Sequence, residues 1–216
     1  MKGIITMIII PGHLEIITCE EWGAKQPLHA VEVREYSAPG FVFHHTAGQN
    51  YPPNSIPATQ RRLGTILAKS IQHSHMVDNG WIDSGHHFLN TVDAVLFEGR
   101  HRSIECAKAG KVVIGAHAAD PSALPKPLWF NDYFSVENEG MFDTHEMNPN
   151  QMQSLINLMA WVSLRQGFDS SRIEGHRATG ISTRCPGDWL SGQTGAIRKA
   201  VHEKKKEFIK LGITKP

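Results

Sequence analysis

No stretch of the chain reaches the roughly 18–20 apolar residues that a membrane-spanning helix needs. The apolar run over 4–10 is closed by Pro11-Gly12, and no small-residue cleavage site follows it, so the start reads as a strand or extension and not as an export signal. Cysteine is scarce. Cys19, Cys106 and Cys185 are odd in number and widely spaced, which argues against a disulfide framework, favours a reducing compartment and leaves at least one thiol for other chemistry. Net charge is nearly absent: 22 Lys+Arg against 21 Asp+Glu give +1, too weak a field to make nucleic acid or an anionic membrane the main partner. Internal repeats, low-complexity tracts and long linkers are missing as well, so one domain is the simplest organisation.

Histidine, by contrast, is abundant, with 13 in 216 residues. It is the commonest metal ligand, yet most of so many must be surface or packing residues. Short apolar runs over 15–18, 40–45, 87–91, 94–98, 112–117 and 134–139 predict strands. Helical spacing predicts a helix over 58–77, its inner face carrying Leu63, Ile66, Leu67 and Ile71. A second helix starts at Asn148-Pro149, an N-cap followed by Pro at the first helical position, and runs to Gly167. A third covers 193–211, with Ile197, Val201 and Phe208 opposite a solvated face of Lys204, Lys205 and Lys206. Strands alternating irregularly with helices predict an α/β fold, a central mixed sheet flanked by helices.

Two histidines, His44 and His45, end the apolar segment Phe41-Val42-Phe43. Strand side chains alternate, so one of them enters a given site and the other packs behind it. Far downstream, His176 and Cys185 lie nine residues apart across a Gly/Thr/Ser loop that can curl around one metal ion. Two imidazoles and a thiolate, with a fourth position for water, is a catalytic zinc pattern. Cys185 as a buried free thiol, or as a nucleophile paired with a His, is the competing reading. His73 and His75, two apart on a helix, cannot share a face and are read as non-catalytic, together with His13, His29, His101, His145 and His202.

Five ordered motifs carry a resemblance: His44-His45-Thr46-Ala47, Gly80-Trp81-Ile82-Asp83-Ser84-Gly85-His86-His87-Phe88, Gly115-Ala116-His117, Ser135-Val136-Glu137-Asn138-Glu139-Gly140, and His176 through Cys185-Pro186-Gly187-Asp188. In this order they resemble the zinc-dependent N-acetylmuramoyl-L-alanine amidases, the group that includes amidase-type phage lysozymes and peptidoglycan recognition proteins. The likeness runs over about 16–190 and implies an extension over 1–15, a zinc amidase domain over 16–192 and a C-terminal helix over 193–216 on the same domain.

Carried over residue by residue, the resemblance implies Zn2+ held by His44, His176 and Cys185, with Glu137 as proton-transferring acid/base and Glu139 a weaker second candidate. Thr183, two before the Cys, falls where the family stabilises the oxyanion, in a loop one residue longer than usual. His86 stands where many relatives have a catalytic Tyr. His45, His117, Trp129 and Asn131 fall where substrate is lined or packed. The implied activity is hydrolysis of the amide between N-acetylmuramic acid and L-alanine in peptidoglycan, by a monomer made in the cytoplasm and acting on the cell wall after release, as a phage or prophage endolysin does. The alternatives are a non-catalytic peptidoglycan-binding module, a bacterial remodelling or recycling amidase, and a cysteine hydrolase.

Overall fold

The computed structural model describes residues 14–118 and 130–214, so most of the expected extension, and Trp129, lie outside the described residues. Six strands form one sheet in the order β1 (Ile16–Ile17), β5 (Leu96–Glu98), β4 (Phe88–Asn90), β7 (Phe134–Asn138), β3 (Phe41–His45), β8 (Ile173–Gly175). Neighbours pair in parallel except β4 with β5, which makes the sheet mixed, as expected. A separate antiparallel ribbon joins β2 (Val33–Arg34) to β6 (Val112–Val113). β2 and β8 went unpredicted because each carries a single large apolar residue, Val33 and Ile173, so no apolar run marks it. The strand expected over 112–117 stops at Val113.

Three long helices cover the sheet. The longest, α4 (Pro149–Gln166), starts where the sequence says: the Asn148 side chain accepts the Gln151 N–H at 2.9 Å, and Gly167 ends the helix in the left-handed conformation. Its Leu155, Leu158, Met159, Trp161 and Val162 pack with Phe41, Phe43, Phe134 and Val136 of the sheet and with Ile197, Val201 and Phe208 of α6 (Thr194–Lys210). Each such large side chain removed from water contributes roughly 1.5–3 kcal/mol, so this face is the main core.

The opposite face is covered by α2 (Pro57–His73), whose Leu67, Ala68 and Ile71 meet Ile17, Trp22, Leu89 and Phe97. Here the expectation needs correction, because Leu63 and Ile66 point to solvent at 43% and 55% exposure. Gly64 explains the rotation: a Cβ there would come within 2.4 Å of the Phe97 ring, so the helix approaches the sheet along its glycine and not along its leucine. A π-helical turn, Ser74–Asp78, continues α2. Among the described residues no helix is long and apolar enough to cross a membrane.

The two faces decide where chemistry can occur. With Phe41 and Phe43 turned to α4, alternation turns His44 to the α2 face, and Val136 does the same for Glu137. Polar groups on that face gather where the parallel strands β3, β7 and β8 end, the usual place for a site on such a sheet.

Candidate functional site

Strand register assembles the site. His44 pairs across the sheet with Glu137, and Phe43 with Gly175, so the next residue after β8, His176, falls beside His44 on its other flank. Three parallel strands thereby deliver Glu137, His44 and His176 in one row, with the two imidazole centroids 4.3 Å apart. Cys185 returns to this row through a braced loop: the Arg177 N–H donates to the Cys185 carbonyl at 3.0 Å, and the Arg177 guanidinium holds Asp188 at 2.5 Å and the Arg184 carbonyl. The Cys185 sulfur ends 3.6 Å from His44 Nδ1 and accepts the His45 backbone N–H at 3.4 Å.

One donor atom each of His44, His176 and Cys185 lies within 4.8 Å of the others. Tetrahedral zinc with N and S bonds of about 2.0–2.1 and 2.3 Å spaces such a pair by about 3.6 Å, which matches the His44–Cys185 separation. His176 Nε2 is buried with no hydrogen-bond partner, an orphan that a metal would satisfy. Burial and the neighbouring rings hold the His44 imidazole well below its ordinary value, and burial with His86 takes His176 down to about 4, so both rings are neutral, as metal ligands must be. Burial pushes the Cys185 thiol up to about 12, against the lowering effect of the His45 N–H. A thiol so poised is a poor free nucleophile, but it deprotonates readily on a cation. The residues present therefore fit zinc.

Beside this trio lies a second group, His75, His86 and Glu137, whose ligating atoms also fall within 4.8 Å of one another. His86 Nδ1 is 3.1 Å from Glu137 Oε2, and its ring meets His44 edge-on at 4.6 Å. Burial pushes the Glu137 carboxyl up, but His86, His75 and His45 outweigh it and hold the group below its ordinary value. His75, read from the sequence as non-catalytic, is set by the structure beside His86 and Glu137. The π-turn carries it off the helical register of α2 and sets its ring against Trp81, tilted by 36° with centroids 4.8 Å apart. Its Nδ1 accepts the Gly85 N–H at 3.0 Å, so its proton sits on Nε2 and it offers a donor, not a metal-binding lone pair. No pattern of spacing reveals this; only a His before a Gly-Trp turn hints at it.

The remaining expected residues separate. His45 turns its ring towards Phe142, whose N–H it accepts at 3.3 Å. His117, expected along a substrate groove, is only 5% exposed and backs His44, with Nδ1 3.1 Å from His44 Nε2 and Nε2 3.1 Å from the Tyr133 carbonyl. The Asn131 side-chain oxygen accepts the N–H groups of His117 and Ala118, bracing that loop. The Thr183 hydroxyl accepts the Cys185 N–H at 3.1 Å, close to the row. Glu139 is turned away and accepts the Val92 N–H at 2.8 Å.

Known proteins are similar to this chain in sequence and in fold. Peptidoglycan-recognition protein SC2 of Drosophila simulans is 30% identical over 173 residues, which cover 80% of each chain. Among solved structures, the N-acetylmuramoyl-L-alanine amidase LysC from Clostridium intestinale superposes with a TM-score of 0.61 at 20% identity, over 87% of this chain and 97% of its own. Peptidoglycan recognition protein-LE in complex with tracheal cytotoxin, a monomeric diaminopimelic acid-type peptidoglycan, does so with 0.60 at 21%, over 83% and 92%. At these identities the two structures speak for the fold alone. A family model described as N-acetylmuramoyl-L-alanine amidase matches residues 35–188, and the chain belongs to that family.

Proposed function

We propose that the chain is a zinc-dependent hydrolase of the amide that joins N-acetylmuramic acid to L-alanine in peptidoglycan. The observation that carries this reading is the convergence of His44, His176 and Cys185 beside a buried, ionised Glu137. Peptidoglycan as the ligand draws on the family and on the relative solved with a peptidoglycan fragment.

Held by those three side chains, zinc would polarise the amide carbonyl and make water nucleophilic near neutral pH. Glu137, ionised and flanked by His86, takes a proton from the attacking water and passes it to the leaving amine, a transfer worth roughly 10²–10⁴ in rate. Thr183 accepts the Cys185 N–H with its oxygen and so keeps its own hydroxyl proton to donate to the developing oxyanion. His86, against both His44 and Glu137, stands where the family has Tyr and supplies a ring N–H to the same charge.

A second reading, peptidoglycan binding without turnover, is favoured by the recognition-protein relatives. Incubating the purified chain with defined muropeptides, with and without chelator, and weighing the products separates the two. Hydrolysis is expected to free the stem peptide from muramic acid, to stop on metal removal and to return with zinc. Binding without release of peptide supports the second reading, and cleavage that survives complete metal removal rules out zinc.

A further inference from the structure

The hydrogen-bond chain behind His44 is directional. The Tyr133 carbonyl can only accept, so His117 Nε2, 3.1 Å away, carries the His117 proton. With one proton per ring, His117 Nδ1 is a bare lone pair, and the His44 Nε2 facing it at 3.1 Å must be the donor. His44 Nδ1 is then left unprotonated, on the side where Cys185 Sγ lies 3.6 Å away. We infer that His117 is a positioning residue that sets the tautomer of His44 and thereby aims its Nδ1 lone pair at the point shared with Cys185 and His176. This rests on the zinc reading above.

Several features hold His117 to this task. Its ring stands at 83° to that of His44, with centroids 5.1 Å apart, so an edge nitrogen and not a π-face meets the ligand ring. Its backbone is braced by Asn131, which accepts the N–H groups of His117 and Ala118 at 2.9 and 3.0 Å. Gly115 leaves room for the ring, since a Cβ there would come within 2.6 Å of His117 Cδ2. Burial of both rings leaves no water to compete for either nitrogen. A ligand whose far nitrogen is tethered in this way is oriented before the metal arrives, and removing such a tether typically costs about 10–100-fold in metal affinity.

Long-range proton–nitrogen correlation spectra of the metal-free protein at neutral pH read the tautomer directly, without substrate or turnover. The wild type should show His44 protonated on Nε2 alone. In His117→Phe the two tautomers of His44 should mix and zinc affinity, measured by competition with a chromophoric chelator, should fall about 10–100-fold. His117→Gln, whose amide can accept from His44 and donate to the Tyr133 carbonyl, should stay close to wild type. A proton on His44 Nδ1 in the wild type overturns the inference, as does a Phe variant that binds zinc normally or a Gln variant as weak as Phe. Should the Phe variant fail to fold, the wild-type spectrum and the Gln variant still decide. Failure of the hydrolase reading would appear in the muropeptide assay and leave the tautomer result unaffected.

Discussion

Replacing Glu137 by Gln removes one proton acceptor and one buried charge while hardly changing volume. The carboxylate is 9% exposed, lies across the strand pair from His44, and has its Oε2 3.1 Å from His86 Nδ1. In the resting protein the substitution exchanges a desolvated carboxylate for a neutral amide of nearly the same size, which still presents an oxygen and an N–H to the facing His86 ring. Stability should then change by no more than about 1 kcal/mol, or about 2–4 °C in Tm for a chain of this size. Turnover is affected differently, because an amide cannot take a proton from water. The loss should be about 10²–10⁴-fold, equivalent to roughly 2.7–5.4 kcal/mol of barrier. The decisive measurements are turnover of a defined muropeptide, zinc per chain and the thermal midpoint, made on one preparation. Normal zinc with turnover within about tenfold of wild type would refute the reasoning and move the base elsewhere.

Cys185→Ser should no longer retain zinc through purification, while the melt of the metal-free protein stays near wild type; retained zinc would remove the thiolate from the ligand set. Gly187→Ala forces a side chain onto a φ of +95° and brings its Cβ within 2.3 Å of the Phe142 carbonyl. That should cost about 1–3 kcal/mol from the backbone alone, visible as a lower Tm, and should weaken zinc binding because Cys185 is two residues away; an unchanged midpoint contradicts it. The Asp83–His101 pair predicts a pH dependence away from the site. The hydrogen bond to Asp83 raises His101, while burial pushes Asp83 up but His101 and Gln72 outweigh it and hold it low. The His101 contribution is full below about pH 6.5 and fades as pH rises through the raised folded value, whereas that of Asp83 is full above about pH 4 and fades on acidification. Urea titrations of wild type and His101→Ala should therefore differ most between about pH 4 and 6.5 and converge at alkaline pH, and a gap that widens with pH would contradict this.

Much of the fold was legible residue by residue. The N-cap at Asn148-Pro149, the α4 stripe and the α6 face of Ile197, Val201 and Phe208 are set within one or two turns of helix, where local spacing reports burial faithfully. Leu63 and Ile66 were misread because a helical stripe two residues wide can rotate, and the small size of Gly64 decided which edge approaches Phe97. His75 was discarded on ideal helix geometry, which the π-turn over Ser74–Asp78 does not obey. His117 was left between a substrate contact and a satisfied structural histidine, because its motif was visible and its hydrogen-bond partners, His44 and the Tyr133 carbonyl, were not.

From the amino-acid order alone came the α/β class and a His/Cys set able to ligate zinc, because periodicity and functional-group chemistry are local properties, whereas Glu137 was reached through the family resemblance. The tertiary structure decided which of those side chains meet. His44 faces Glu137 and His176 through the pairing of strands some 90 and 130 residues away, and His117 turns its lone pair to His44 through a backbone carbonyl sixteen positions downstream. Register and hydrogen-bond direction depend on how distant segments pack, so no local pattern encodes them.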